Sequence, residues 1–216
     1  MRGRHLIALV TALAAAVAVL PAAAAACETG TRARPPEPEG TPPLALGDSV
    51  MLGAVDRLVA AGFEVDARGC RQMAEGVRVL AARGRRDALP GIVVVALGTN
   101  WIVTTTQIRQ TLRILGTGRV LGLVVPRELP SVRTTNRRNI RAAGRRWPDR
   151  VKVLDWVRQS AGRRSWFAAD GLHLAPAGAR AFTRLLSTAF EWTVSARIVT
   201  WTPMPAPQAV ESLSAP

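Results

Sequence analysis

The chain has 216 residues, of which 48% are hydrophobic, so it can bury the core of one domain without a metal or several disulfides. Its formal net charge is +14, almost all of it from arginine, since Lys152 is the only lysine. Such a charge is typical of nucleic-acid-binding domains. The arginines, however, lie on separate segments with neither interleaved aromatic residues nor the spacing of a finger or helix-turn-helix motif. We therefore exclude nucleic acid as a partner and attribute the charge to solvated helix faces, with attraction to an anionic cell envelope as the functional alternative.

Residues 1–26 have the pattern of a signal peptide. A basic start at Arg2 and Arg4 is followed by an apolar run from Leu6 to Leu20 and then by Pro21 and a stretch of alanines. The apolar run is shorter than the roughly 20 residues that cross a membrane. We therefore expect a mature chain that has no membrane span, is secreted or associated with the cell envelope, and carries a formal charge of +12 once Arg2 and Arg4 are removed.

Cys27, at the predicted cleavage site, has three interpretations that the sequence leaves open. Residues 24–27 could form a lipoprotein cleavage site at which the cysteine carries lipid, although the leucine usual three residues earlier is absent. Cys27 could instead pair with Cys70, the only other cysteine, because disulfides persist outside the cytoplasm. In the third interpretation both thiols are unpaired.

Ordered structure is expected to begin at Leu44, because residues 27–43 form a proline-rich linker. Five apolar runs then predict strands at Leu44–Leu46, Phe63–Ala67, Ile92–Leu97, Val120–Val125 and Val151–Trp156. Apolar residues at helical spacing predict helices over 49–61, around Val77 and Leu80, over 108–115, over 140–147 and over 176–189. This alternation predicts an α/β domain over 44–190 with a five-stranded parallel sheet and helices on both faces. Residues 191–216 are expected to form a C-terminal extension with a loosely ordered tail.

Residues suited to catalysis follow the predicted ends of several strands. Ligands bind beyond the carboxyl ends of the strands in open α/β sheets. We therefore expect one edge of the sheet to bring together Ser49, Gly69, Cys70, Asn100, Asp170 and His173.

A serine, a histidine and a carboxylate at one edge indicate nucleophilic catalysis. A serine hydroxyl is a poor nucleophile until a base takes its proton, and His173 is the only histidine after the signal peptide. Asp170, three residues earlier, can orient that histidine. Donors to an oxyanion can be the Ser49 amide, an amide of the Gly69–Cys70 turn and the Asn100 side chain. Each residue alone has an ordinary structural role, such as an N-cap at Gly-Asp-Ser, and only their joint order favours catalysis.

These residues also carry a family resemblance. Gly47-Asp48-Ser49, Gly69, Gly98-Thr99-Asn100 and Asp170-Gly171-Leu172-His173 resemble the four sequence blocks of the SGNH, or GDSL-like, hydrolase superfamily over residues 44 to about 190. Three sequence segments are similar to the extracytoplasmic domain of peptidoglycan O-acetyltransferases, namely Leu46–Gly53, Arg71-Gln72 and Val153–Trp156. The resemblance implies a three-layer, flavodoxin-like sandwich and an acyl-serine intermediate. It further implies that Ser49 is the nucleophile, His173 the general base and acid, Asp170 its orienting carboxylate and Asn100 an oxyanion donor.

The sequence departs from this family pattern at one position of the site. The related domains usually have glycine immediately before Arg-Gln, where this chain has Cys70, with Gly69 one place earlier. Which of the two amides serves the oxyanion therefore stays open.

The family transferases also carry a large multi-span membrane domain that delivers acetyl groups, and nothing in this sequence can span a membrane. We therefore expect a monomeric, secreted serine esterase that cleaves a small acyl ester, acetyl in the first instance, on cell-wall glycan without a metal or organic cofactor. One alternative is an O-acetyltransferase that receives acyl groups from a partner membrane protein. The other is a catalytically inactive envelope-binding module.

Overall fold

A computed structural model of the chain describes residues 27, 29–36, 41–128 and 133–192. The predicted signal peptide and nearly all of the predicted C-terminal extension lie outside these residues. None of the helices in this described part of the chain has both the length and the apolar composition of a membrane-spanning helix.

Strands and helices alternate along the chain. The strands are β1 Gly30–Ala33, β2 Leu44–Gly47, β3 Glu64–Arg68, β4 Ile92–Ala96, β5 Val120–Val124 and β6 Val151–Leu154. The helices are α1 Ser49–Leu52, α2 Val55–Ala60, α3 Met73–Gly84, α4 Thr105–Leu115, α5 Arg133–Arg146, α6 Trp156–Gln159 and α7 Pro176–Ser187, with a 3-10 turn at Arg164–Trp166.

The strands form one sheet in the order β1-β3-β2-β4-β5-β6. The five strands from β2 to β6 are parallel, and their order is that of the flavodoxin-like fold. The chain reverses its direction of winding between β2 and β4, which is where α/β sheets of this kind open a crevice for ligands. The predicted fold class is therefore confirmed.

The sheet has a sixth strand, which the sequence did not indicate. β1 lies inside the predicted linker and pairs antiparallel with β3, with Gly30 opposite Arg68. Its four residues, Gly-Thr-Arg-Ala, are mostly exposed, so the strand has no apolar pattern to announce it. Main-chain pairing and an ion pair from Arg32 to the buried Asp66, at 3.1 Å, hold it at the edge of the sheet.

Cys27 and Cys70 are joined in a disulfide with their Cα atoms 4.9 Å apart. The Gly69 amide beside it donates a hydrogen bond to the Thr29 carbonyl at 2.8 Å. Of the three interpretations of Cys27, the structure therefore has the disulfide. The lipid anchor is wrong for this state, because a sulfur in a disulfide cannot also carry a thioether-linked lipid, and neither cysteine is free.

Alternation along the strands fills two apolar layers. Leu44 and Leu46 face the layer that packs under α3, α4 and α5, and Ala45 faces the layer under α1, α2 and α7. β4 is buried along its whole length, as a central strand covered on both faces should be. Burial of both faces makes the sheet a rigid base for the loops at its carboxyl edge.

Several predicted elements have different bounds in the structure, and two of these differences have a local cause. The helix expected after Gly47 is divided into α1 and α2 by a turn at Gly53 and Ala54. The strand expected over Val151–Trp156 ends at Leu154, because the Asp155 side chain accepts the Arg158 amide at 3.1 Å and caps α6.

Candidate active site

The register of the sheet places three loops at the same level. Gly47 of β2 lies opposite Ala67 of β3 and Ala96 of β4. Ser49, Gly69 and Gly98 each follow these aligned positions by two residues. The loops that carry the candidate nucleophile and the candidate oxyanion donors therefore leave the sheet side by side, as the strand pattern predicts.

The turn that presents Ser49 is close-packed. A Cβ atom on Gly47 would lie 2.6 Å from the Met51 side chain, so only glycine fits between β2 and α1. Asp48 caps α1, its side chain accepting the Val50 amide at 3.0 Å. The strand therefore ends and the helix begins within one residue, which fixes the direction of the Ser49 side chain.

Ser49, His173 and Asp170 form a continuous chain of hydrogen-bonding atoms. His173 Nε2 lies 3.0 Å from Ser49 Oγ, and His173 Nδ1 lies 2.6 Å from Asp170 Oδ2. With the proton on Nδ1, the imidazole donates to the carboxylate and leaves Nε2 free to accept the serine proton. The fold thus brings the three predicted catalytic residues into direct contact, although Ser49 and His173 are 124 positions apart in the sequence.

A short turn holds the carboxylate and the imidazole together. Asp170 Oδ1 accepts the amides of Leu172 at 2.8 Å and His173 at 3.0 Å, and Gly171 between them has φ +69°. The His173 carbonyl in turn accepts the Ala168 amide at 2.8 Å. The hydrogen bond from His173, followed by that from Leu172, lowers the pKa of Asp170 to about 2. Asp170 is therefore ionised at neutral pH and presents a carboxylate to Nδ1 of the imidazole.

Asp48 is a buried acid next to the candidate nucleophile. Its side chain is 1% exposed, and burial raises its pKa to about 6 against the opposing hydrogen bonds from Val50 and Thr99. The sequence pattern predicts no role for this residue beyond its place in the Gly-Asp-Ser turn.

The candidate oxyanion donors differ in whether they are already engaged. The Gly69 amide is donated to Thr29, so it is not available to a ligand. The Cys70 amide has no acceptor in the parts of the chain that the structure describes, and Cys70 has φ +53°, in the left-handed region. Asn100 Nδ2 donates one of its two hydrogens to the Arg71 carbonyl at 3.4 Å, which leaves the other for a ligand. These contacts favour the amides of Ser49 and Cys70 with the Asn100 side chain as the donor set.

Arg71 ties these loops together, a role that the sequence did not reveal. Arg71 is buried, with 3% of the residue exposed. Its guanidinium donates to the Gly47 carbonyl at 3.2 Å, to the Asp66 carbonyl at 2.7 Å and to Asp66 Oδ1 at 2.8 Å. A second ion pair joins it to Glu75 of α3 at 3.3 Å. One buried side chain thus fixes the end of β2, the end of β3 and the start of α3.

The loop after β4 is pinned by Asn136, which is fully buried. Its Nδ2 donates to the Gly98 carbonyl at 2.8 Å and the Trp101 carbonyl at 3.2 Å, and its Oδ1 accepts the Val103 amide at 2.7 Å. Trp101 is nevertheless 59% exposed, the one large hydrophobic side chain with such exposure among the described residues. A fixed backbone therefore presents an indole to solvent directly after Asn100.

Comparison with known proteins gives matches over the domain but none to a protein-family profile. The chain is 32% identical over 154 residues to the O-acetyltransferase OatA of Staphylococcus aureus, an alignment that covers 69% of this chain and 25% of the relative. The chain therefore spans about a quarter of the length of the curated relatives it matches.

Solved structures share the fold. The C-terminal catalytic domain of peptidoglycan O-acetyltransferase A from Streptococcus pneumoniae superposes with a TM-score of 0.61 at 21% identity, over 73% of this chain and 94% of that domain. A member of the lipolytic protein G-D-S-L family from Veillonella parvula gives a TM-score of 0.53 at 14% identity, over 69% of this chain and 97% of the other.

The fold and the order of the site residues are those of SGNH-type enzymes, a class that includes hydrolases and acyltransferases. Over this domain the chain is related in sequence to the O-acetyltransferases and shares its fold with the catalytic domain of one of them and with a G-D-S-L family protein, as the sequence blocks predict.

Proposed function

We propose that the protein is a secreted serine esterase that removes a small acyl group from cell-wall glycan, and that this group is acetyl. The observation that carries this proposal is the hydrogen-bonded chain from Ser49 Oγ through His173 to Asp170, with heavy-atom distances of 3.0 and 2.6 Å. In this mechanism His173 takes the serine proton as Ser49 attacks the ester carbonyl, and returns it to the leaving alcohol. Water then attacks the acyl-serine with His173 again as the base, the bond from the acyl carbon to Ser49 Oγ breaks, the acid is released, and His173 returns the proton to Ser49 Oγ.

Charge that develops on the carbonyl oxygen needs donors fixed in advance. We assign this role to the amides of Ser49 and Cys70 and to the Asn100 side chain. The engagement of the Gly69 amide with Thr29 supports Cys70 over Gly69, and the clamp of Arg71 between Gly47 and Asp66 supports a rigid arrangement.

Two features support hydrolysis of a glycan ester. The side chains of His173 and Asp170 are 45% and 48% exposed, so water and a polymer both have access to the acyl-serine. Trp101, directly after Asn100 in the chain, presents an exposed and flat apolar indole on which the apolar face of a sugar ring can pack. The S. aureus relative is an O-acetyltransferase, which supports acetyl as the acyl group. The S. pneumoniae relative is a peptidoglycan O-acetyltransferase, which supports a substrate in the cell wall.

The second candidate is an O-acetyltransferase, favoured by the sequence similarity to that class. It would use the same acyl-serine, resolved by a sugar hydroxyl instead of water, with a partner membrane protein as the acyl source.

The test is acetate release from a chromogenic acetate ester by the purified protein and by Ser49→Ala. We expect the variant to lose at least roughly a hundredfold in rate, the scale for loss of a triad member. Ser187→Ala, at the end of α7, is a matched control that should keep the wild-type rate. Equal, measurable rates for Ser49→Ala and the wild type would refute Ser49 as the nucleophile, and a wild type that releases no acetate would favour the inactive envelope-binding module. Addition of a glycan acceptor then separates the two reactions, since a transferase moves label to the glycan and an esterase to free acetate.

Location and oligomeric state are also proposed. The disulfide between Cys27 and Cys70 supports a compartment outside the cytoplasm. A monomer is expected, and light scattering of the purified protein measures it. Retention on anionic cell-wall polymer at low salt would support attraction to the envelope.

A further inference from the structure

A cavity lined by arginines lies beside the candidate catalytic loop. It has a volume of about 400 Å³ and is bounded by Arg127, Arg163 and Arg164 and by Phe167, Ala168, Ala169 and Gly171. The last of these residues directly follows Asp170 in the chain. Arg127 comes soon after β5, so the cavity opens at the same carboxyl edge of the sheet as Ser49.

The walls of this arginine cavity are fixed by the same contacts that hold His173. Phe167 pairs with Leu174 in an isolated bridge, and the Ala168 amide donates to the His173 carbonyl at 2.8 Å. Arg127 lies over the Phe167 ring, 4.2 Å from its centroid, and Arg163 lies 5.7 Å from the centroid of Trp166. The cavity and the catalytic imidazole therefore share one rigid hairpin.

The charge in the cavity is of one sign. Three guanidinium groups line it, and no acidic residue is among the lining residues. Within the described part of the chain, neither Arg163 nor Arg164 forms an ion pair, while nearby Asp170 is already engaged by His173 at 2.6 Å. A guanidinium presents a planar fork of N–H donors that matches a carboxylate. The volume falls in the range of small-ligand sites, about 300–1,000 Å³.

We propose that this arginine cavity is a substrate subsite that binds a carboxylate on the sugar whose ester Ser49 cleaves. The inference rests on the proposed function and adds the substrate class, an anionic acylated sugar rather than a neutral one. Arg163 and Arg164 bind the carboxylate while the ester carbonyl lies at Ser49. The carboxylate is not altered in the reaction and acts only by holding the substrate.

The test compares two substrates that differ only in this charge, 6-O-acetyl-N-acetylmuramic acid and its methyl ester, with acetate release as the readout. We expect kcat/KM to be about tenfold higher for the acid, the size of effect of a charge-assisted hydrogen bond at a partly exposed site. The ratio should fall toward one in about 1 M salt, because exposed charges are then screened.

The variant Arg163→Ala, Arg164→Ala should abolish the preference, and Arg163→Lys, Arg164→Lys should restore part of it. The matched control is Arg85→Ala, Arg86→Ala, which removes the same charge from two adjacent exposed arginines. These follow α3 at the opposite edge of the sheet, so the preference should stay at about tenfold. Thermal unfolding of each variant monitors the fold.

The two proposals fail in different ways. A wild-type protein that cleaves neither these substrates nor a chromogenic acetate would overturn the proposed function. A wild-type protein that cleaves the chromogenic ester and both sugars with equal kcat/KM would overturn the carboxylate subsite alone. An equal loss of preference in the Arg85→Ala, Arg86→Ala control would also overturn it, because the effect would then come from overall charge.

Discussion

Loss of the Cys27–Cys70 disulfide should lower both the stability and the rate of the enzyme. The bridge joins residues 43 positions apart and ties the segment before β1 to the turn that follows β3. The loop-closure entropy for a loop of this length corresponds to about 4 kcal/mol of unfolding free energy at 25 °C. In a chain of this size, 1 kcal/mol shifts the melting temperature by about 2–4 °C. Cys27→Ser should therefore melt about 8–16 °C below the wild type.

The effect on rate follows from the position of Cys70. Cys70 has φ +53°, a backbone conformation that is unfavourable for residues other than glycine and asparagine. The disulfide and the hydrogen bond from Gly69 to Thr29 keep the turn in this conformation. Without the bridge the Cys70 amide is less well aimed at the oxyanion. We expect the rate on a chromogenic acetate at 25 °C to fall, by less than the roughly hundredfold cost of a missing donor.

The assays are a thermal melt and a rate measurement on the wild type and Cys27→Ser, each with and without reductant. Reductant should move the wild type to the melting temperature of the variant and leave the variant unchanged. A variant that melts within about 2 °C of the oxidised wild type would refute the loop-entropy argument. Full retention of rate in the variant would show that the Cys70 turn needs no covalent support.

Three further predictions concern Asp48, Arg71 and Trp101. Burial raises the pKa of Asp48 from 3.8 to about 6, so its stabilising protonated form is complete below pH 3.8 and is lost as the pH rises through 6. The unfolding free energy of Asp48→Asn relative to that of the wild type should therefore be about 3 kcal/mol higher at pH 8 than at pH 3.5. A difference between the two proteins that does not change with pH in urea titrations would contradict this. Arg71→Ala removes the closest partner of the buried Asp66, which keeps its ion pair with Arg32, and should cost about 1.5–3 kcal/mol, the scale of a hydrogen bond to a charged group; a loss below about 1 kcal/mol in the same titrations would exclude the clamp. Trp101→Ala should raise KM for an acetylated glycan oligomer about 2- to 13-fold, as expected for loss of aromatic contact, whereas Trp101→Phe should raise it less; equal KM values in all three proteins would remove the indole from the substrate site.

Local sequence patterns were sufficient to predict an element where its burial produces a regular apolar spacing. β4 is an uninterrupted apolar run because it is central and covered on both faces, so its sequence alone predicted its place. β1 gave no such signal, because a mostly exposed edge strand of Gly-Thr-Arg-Ala is held by main-chain pairing with β3. Arg71 was visible only as part of a family resemblance, since its contacts with Gly47 and Asp66 join residues that are distant or unremarkable in sequence.

The sequence by itself determined the parallel α/β fold and the order of Ser49, Asn100, Asp170 and His173 along it, because strand and helix periodicities are local and strand ends fall at one edge. Only the tertiary structure decided the pairing of Cys27 and the engagement of the Gly69 amide, since both depend on which distant segment lies beside the β3 turn. It also decided that the arginines at 127, 163 and 164 surround one cavity, because they come from two separate loops whose meeting no local pattern encodes.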